Sequence, residues 1–244
     1  MRISDFIYQS NTAGTPEDLF SDLEQAAQDT GFNWIAYTHL SCYEPVPHLK
    51  QVLPSPAVFL HYPPKWIKRY FRRNYQEIDP VVLYTPRIRN PYLWKDIADF
   101  FPLNEQQVGF MEIAKEAGLR TGITIPLHGP WGSVAAVSYA CKESHPDATG
   151  QMSKLYLLAA QFHTCFMDLT RKSITKTSDL FLTGREKDCL KWVAQGKSSW
   201  EISTILGIQK DTVNFYMKNA FRKLNVSTRA MAVLKAVRLG LVNL

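Results

Sequence analysis

From Leu182 onward the chain offers no strand pattern. The segment LTGREKDCLKWVAQGKSSWEISTILGIQKDTVNFYMKNAFRKLNVSTRAMAVLKAVRLGL carries only helical periodicity broken at glycines, which restricts the tail to a bundle of short helices. Thr183 followed three residues later by Glu186 is a capping box, and Gly196 ends the helix it starts. A second helix, SWEISTILG, ends at Gly207, and after a short turn KDTVNFYMKNAFRKL makes a longer one. A short helix, a tight glycine turn and a basic second helix form the helix-turn-helix pattern. Val213, Met217, Ala220, Phe221 and Leu224 would be its buried stripe. Lys210, Asn214, Lys218 and Arg222, at steps of four, would be exposed.

Charge follows the same division. The chain holds 28 Lys/Arg and 22 Asp/Glu, of which twelve and five fall in Thr175–Leu244, so that segment carries +7 and the preceding 174 residues −1. A basic tail on a near-neutral body points to nucleic acid as the tail's partner. Asn, Arg and Lys can address base edges, and lysines also neutralise phosphate. Lys197 and Ser198 of the GKS turn and Thr212 at the start of the long helix join the exposed stripe as candidate DNA contacts. A solvated basic face on a plain bundle is the competing reading. The coincidence of cap, turn and two-helix spacing favours DNA.

The front of the chain has a different pattern. TPEDLFSDLEQAAQDTG is a helix with Thr15 as N-cap, Pro16 at its first position and Gly31 as its stop. NWIAYTHL and AVFLHY read as strands, and TGITIPLHG with GSVAAVSYAC as a hairpin turning at HGPWG. GQMSKLYLLAAQFHTCFMDL is a long amphipathic helix, and the Ser/Thr-rich TRKSITKTSDLFLT after it is a linker. The expected fold class is therefore α+β, an α-β-α sandwich around an antiparallel sheet followed by an all-α helix-turn-helix domain. The boundaries are residues 1–169, a linker at 170–182, and 183–244.

Within the front domain, YPPKWIKRYFRRNYQEIDP interleaves rings and bases, as a single-strand binder would. Trp66 and Tyr70, four apart, share one helical face, with Lys68, Arg72 and Tyr75 largely elsewhere. The bases then cover a solvated face while the rings and Asp79 turn inward. Taken singly these residues have plainer readings: a Trp–Tyr pair as core, an Asp before Pro as a cap, and a serine in AVSYA as an ordinary strand residue.

The tail resembles the DNA-binding domain of the LuxR type, on Leu182-Thr183, Arg185-Glu186, Leu190, Gly196-Lys197, Glu201-Ile202, Leu206, Ile208, Thr212-Val213, Lys223-Leu224 and Gly240-Leu241. It departs at Tyr216, where histidine is common, and at Gln209, where serine often caps the recognition helix. The front domain resembles the autoinducer-binding domain of quorum-sensing regulators that take acyl-homoserine lactones, closest to LasR-like members. Trp66, Tyr70, Asp79-Pro80, Trp94 and the segment Gly118–Gly129 stand at that family's spacing. The resemblance implies a ligand-responsive transcription regulator that binds an N-acyl-homoserine lactone and double-stranded promoter DNA. It implies a homodimer built on the long helix and admits a contact with RNA polymerase. It assigns Asp79 to the ligand amide N–H, Trp66 to the lactone carbonyl, Tyr62 and Ser138 to the amide carbonyl, and Tyr70, Trp94 and Phe110 to the walls. Ile67 stands where some LasR-like pockets carry arginine, and Val81 removes a hydroxyl often found two residues after the acid, so acyl preference is open.

Other classes find less support. The four cysteines are scattered without CxxC spacing, which fits free thiols in a reducing cytoplasm and no metal cofactor. No apolar run reaches bilayer length, and the N-terminus has no secretory h-region, so no membrane partner is expected. The six histidines lack HxxH spacing and no GxSxG is present, so a lactone hydrolase is disfavoured and no catalytic residue is assigned. An orphan receptor that needs no ligand, or senses another small molecule, is the alternative within the class.

Overall fold

The computed structural model describes residues 1–41, 53–129, 132–143, 147–174 and 181–242. The chain divides into two compact units, Met1–Lys176 and Thr177–Leu244.

In the first unit α1 (Ile3–Thr12) and α2 (Pro16–Gln28) lead into β1 (Trp34–Ser41) and β2 (Ala57–His61). Then follow α3 (Pro64–Arg72), α4 (Pro80–Tyr84), β3 (Tyr92–Leu93), α5 (Ile97–Phe100) and α6 (Glu105–Glu116). The hairpin β4 (Thr121–His128) and β5 (Val134–Cys141) precedes the long α7 (Ala148–Ile174). Helix α2 begins as its sequence requires: the Thr15 hydroxyl accepts the Asp18 N–H, and Pro16 sits where no donor is needed.

The sheet runs β2-β1-β5-β4-β3, with every pairing antiparallel. Alternation sends Tyr37, Ile123, Ile125, Val137 and Tyr139 to one face, where they pack with Phe6, Leu19, Leu23, Leu155 and Phe162 of α1, α2 and α7. The opposite face turns Ala36, Ala136 and Ser138 toward α3 and its neighbours. Helices cover both faces, so all eight positions of β5 are buried. This is the expected α-β-α sandwich.

Two readings need correction. Residues 170–174, assigned to the linker, continue α7. Thr170 is buried, and its hydroxyl donates to the Phe166 carbonyl one turn back, so a residue typical of linkers is satisfied inside the helix. Tyr75, placed away from the inward face, packs its ring on Trp66 and Phe110. The chain reaches it through Asn74 in the left-handed region (φ 51°), which rotates the following side chains inward. Part of the HGPWG turn (Pro130, Trp131) and Cys42 lie outside the described residues. Cys141, Cys165 and Cys189 are free and buried.

The second unit holds α8 (Gly184–Ala194), α9 (Ser199–Leu206), α10 (Lys210–Leu224) and α11 (Arg229–Arg238). The Thr183–Glu186 box forms, and a second box joins Ser198 to Glu201. Gly196 and Gly207 take positive φ at the helix ends, where a side chain would be strained. Val213, Met217, Ala220 and Leu224 are buried with Leu190, Ile202 and Ala232, while Phe221 packs from the margin. Among the described residues no helix is long and apolar enough to cross a membrane.

Candidate functional site: a polar-ended cavity and a cationic helix face

The seven residues singled out in the front domain all line one cavity, between the α3–α6 layer and the sheet. The cavity gives the centres of water-sized spheres about 70 Å³, room for several waters at roughly 10–15 Å³ each. Tyr62, Trp66 and Tyr70 come from the β2–α3 turn and α3, Asp79 from the start of α4, Trp94 from the turn after β3, Phe110 from α6 and Ser138 from β5. Leu40, Leu60, Ile67, Phe71, Met111 and Leu119 supply apolar wall.

One end is an aromatic box. Trp66 and Tyr70 stand 5.9 Å apart, and Phe110 lies 5.8 Å from Trp66 and 6.1 Å from Tyr70. Such tilted contacts stabilise beyond area alone. Lys65, Lys68, Arg69, Arg72 and Arg73 are exposed, so the interleaved bases belong to the solvent face.

Asp79 has two roles. Its Oδ1 accepts the Val81 N–H at 2.8 Å and so caps α4; its Oδ2 accepts the Tyr70 hydroxyl at 2.8 Å. The residue is only 8% exposed. Burial pushes its carboxyl up to about 6, against the opposing pull of the Tyr70 and backbone donors. Burial and the facing carboxylate push the Tyr62 and Tyr70 phenols well above their usual range. The Tyr62 hydroxyl and the Trp66 indole N–H have no hydrogen-bond partner among the described residues.

A second polar cluster of the cavity wall is a network through Thr124, a residue outside those expected from the sequence. The Trp94 indole N–H donates to Thr124 Oγ1 at 2.8 Å, and that hydroxyl bonds Ser138 Oγ at 2.8 Å. Nearby, Thr85 Oγ1 bonds the Tyr92 hydroxyl at 2.7 Å and donates to the Val81 carbonyl. Thr124 lies opposite Ser138 in the β4–β5 register, which brings two hydroxyls together from residues 14 apart in sequence. Gly122 lies directly against Trp94: a Cβ there would stand 2.1 Å from an indole carbon. A glycine two residues before a threonine on a strand was the available signal.

In the second unit Lys210, Asn214, Lys218 and Arg222 are all exposed on α10, and Thr212 is half-buried. Among the described residues none of these three cations has a carboxylate at ion-pair distance. Lys197 instead pairs with Glu201 at 3.3 Å, and Ser198 is engaged as the cap of α9. Gln209 precedes α10 without a side-chain cap bond. Lys223 reaches back to Glu186 at 2.8 Å, and Glu186 is only 3% exposed.

Residues 15–166 match the model of an autoinducer binding domain, and residues 180–236 that of bacterial regulatory proteins of the luxR family. The chain is 36% identical to the HTH-type transcriptional regulator y4qH of Sinorhizobium fredii, over 94% of this chain and 69% of that protein. It is also 36% identical to the HTH-type quorum sensing-dependent transcriptional regulator RpaR of Rhodopseudomonas palustris, over 79% of this chain and 77% of that protein. The structure of SdiA in complex with octanoyl-rac-glycerol superposes with a TM-score of 0.73 at 25% identity, covering 98% of this chain and 94% of that one.

Proposed function

The chain belongs to the luxR family of quorum-sensing transcriptional regulators, and from that premise we propose that its ligand is an N-acyl-homoserine lactone held in the cavity of the front domain. The observation that carries the proposal is Asp79, an acid buried at the polar end of an otherwise apolar sleeve. A buried carboxylate is costly unless donors reach it, and an acyl amide N–H is such a donor. Tyr62 and Trp66 offer donors for the amide and lactone carbonyls, each good contact worth roughly 1–3 kcal/mol. Trp94, Phe110 and the apolar walls enclose the chain, and Ser138, joined to Thr124, supplies a hydroxyl beside the amide.

The remaining steps follow physically. Filling the cavity stabilises the ordered front domain by mass action. The ordered domain dimerises through α7, and two tail units address successive major grooves of a two-fold site with Lys197, Ser198, Lys210, Thr212, Asn214, Lys218 and Arg222 at the DNA. The regulator acts in the cytoplasm and admits contact with RNA polymerase on the bound promoter.

Thermal unfolding against a panel of acyl-homoserine lactones tests the ligand, with Asp79→Asn and Trp66→Phe as controls. A chain-length-dependent rise in Tm that shrinks in both variants is the expected result; no rise with any lactone overturns the proposal. The acylglycerol named for the SdiA complex favours a second reading, an acyl ligand without an amide. Octanoylglycerol therefore belongs in the panel, and a shift with it alone selects that reading.

A further inference from the structure

Phe215 stands 60% exposed on α10, on the face that also carries Asp211, Lys218 and Arg222. Lys218 and Arg222 lie one and two turns beyond it, Asp211 one turn before it, and Asn214 beside it. A single exposed ring needs no partner by itself. One set beside Asn214 and near Lys218 and Arg222, cations without a carboxylate at ion-pair distance among the described residues, suits a partner that is anionic yet offers apolar contact. The major groove of DNA does both: phosphates line it, and thymine projects a C5-methyl into it.

Asn214, beside the ring, is held in one orientation. Its Oδ1 accepts the Ser199 hydroxyl at 2.7 Å, and Ser199 Oγ accepts the Arg229 guanidinium at 2.8 Å. Arg229 is a donor only, and with Ser199 giving its own proton to Asn214 the amide NH₂ faces outward. The bidentate reading of adenine needs both amide atoms, one accepting from N6 and one donating to N7. With Oδ1 turned toward Ser199 on α9, Asn214 presents its N–H donors, suited to acceptors such as thymine O4 or guanine O6 and N7.

We propose that Phe215 is a base-reading residue that packs on the C5-methyl of a thymine in each operator half-site, with Ser199 and Arg229 positioning Asn214 beside it as a hydrogen-bond donor. This rests on the reading of α9 and α10 as the DNA-contacting pair.

The full-length protein, with Phe215→Ala, Phe215→Leu and Ser199→Ala, would be used to select binding sequences from a randomised duplex pool. Each thymine of the enriched site would then be replaced by uracil, which removes only the methyl. The expected result is one thymine per half-site at which uracil weakens wild-type binding about fourfold. Phe215→Leu should keep part of that discrimination, and Phe215→Ala should bind thymine and uracil alike. The Ser199→Ala pool should gain adenine at the neighbouring position, a change in base preference that mere loss of stability does not produce. Wild-type indifference to uracil at every thymine, or equal discrimination by Phe215→Ala, overturns the role of Phe215. An unchanged Ser199→Ala pool overturns the positioning role. If wild type enriches no sequence, the DNA reading itself fails and this proposal with it.

Discussion

The Tyr70 hydroxyl donates to Asp79 Oδ2 at 2.8 Å, so the buried acid of the cavity has a side-chain donor before any ligand arrives. The same carboxylate caps α4 through its other oxygen. The cap reading and the ligand reading of an Asp-Pro pair are therefore compatible at this residue.

The raised carboxyl of Asp79 gives a pH dependence of definite sign. Between the usual 3.8 and about 6 the folded chain holds a proton that the unfolded chain has lost. That contribution to stability is full below 3.8 and is lost as pH rises through 6, amounting to ~3 kcal/mol. An amide donor favours the ionised form, so lactone affinity should rise as pH rises through 6 and level off near neutrality. Titration of binding from pH 5 to 8 checks this, with Asp79→Asn flat; a flat wild-type curve would refute it.

His39 and His163 carry the opposite sign. Both sit within hydrogen-bond reach of the Tyr37 hydroxyl, at 3.1 and 2.7 Å, and burial pushes each down to about 4. The unfolded chain binds protons on them first, so this part of the stability is present above about 6.5 and is lost as pH falls toward 4. Urea midpoints at pH 7 and pH 5 should differ less in His163→Gln than in wild type.

Thr124→Val keeps shape but leaves the Trp94 indole N–H and the Ser138 hydroxyl without their partner. The expected loss is about 2–3 kcal/mol, with Thr124→Ser close to wild type. Chemical denaturation measures it, and equal losses in the two variants would show that the hydroxyl does not matter.

Gly122→Ala forces the Trp94 ring aside, because the new methyl meets it at 2.1 Å. Overpacking of this kind costs about 1–3 kcal/mol. The displaced ring also disturbs the cavity wall, so any lactone-induced rise in Tm should fall along with basal stability. An unaltered shift would place Trp94 outside the ligand contacts.

Lys223→Met leaves the nearly inaccessible carboxylate of Glu186 with the Thr183 backbone N–H and no counter-charge. Breaking such a pair from one side costs about 3–5 kcal/mol. Adding Glu186→Gln should recover a large part of that loss, because the amide still caps Thr183 without a buried charge. A double-mutant cycle on unfolding free energy reads the coupling, and simple additivity would contradict it.

What the sequence by itself determined here is what acts over about one helical turn. The Thr183–Glu186 box, the stops at Gly196 and Gly207 and the bounds of α10 follow from caps and periodicity that reach three or four residues. The inward turn of Trp66 and Tyr70 was legible for the same reason. Helix α6 carries the same kind of local signal in its Asn104–Gln107 capping box. Tertiary structure decided what depends on partners far along the chain. Strand register set Thr124 opposite Ser138 and under Trp94, and a one-residue slip would turn Ile123 and Ile125 away from the α7 side. The kink at Asn74, not helical spacing, returned Tyr75 to the box. In the tail, the packing of α9 and α11 on α10 joined Ser199, Arg229 and Asn214 across intervals of 15 and 30 residues. Local rules place a residue on its own helix or strand, but which atoms it meets depends on how the faces of distant elements pack to exclude water.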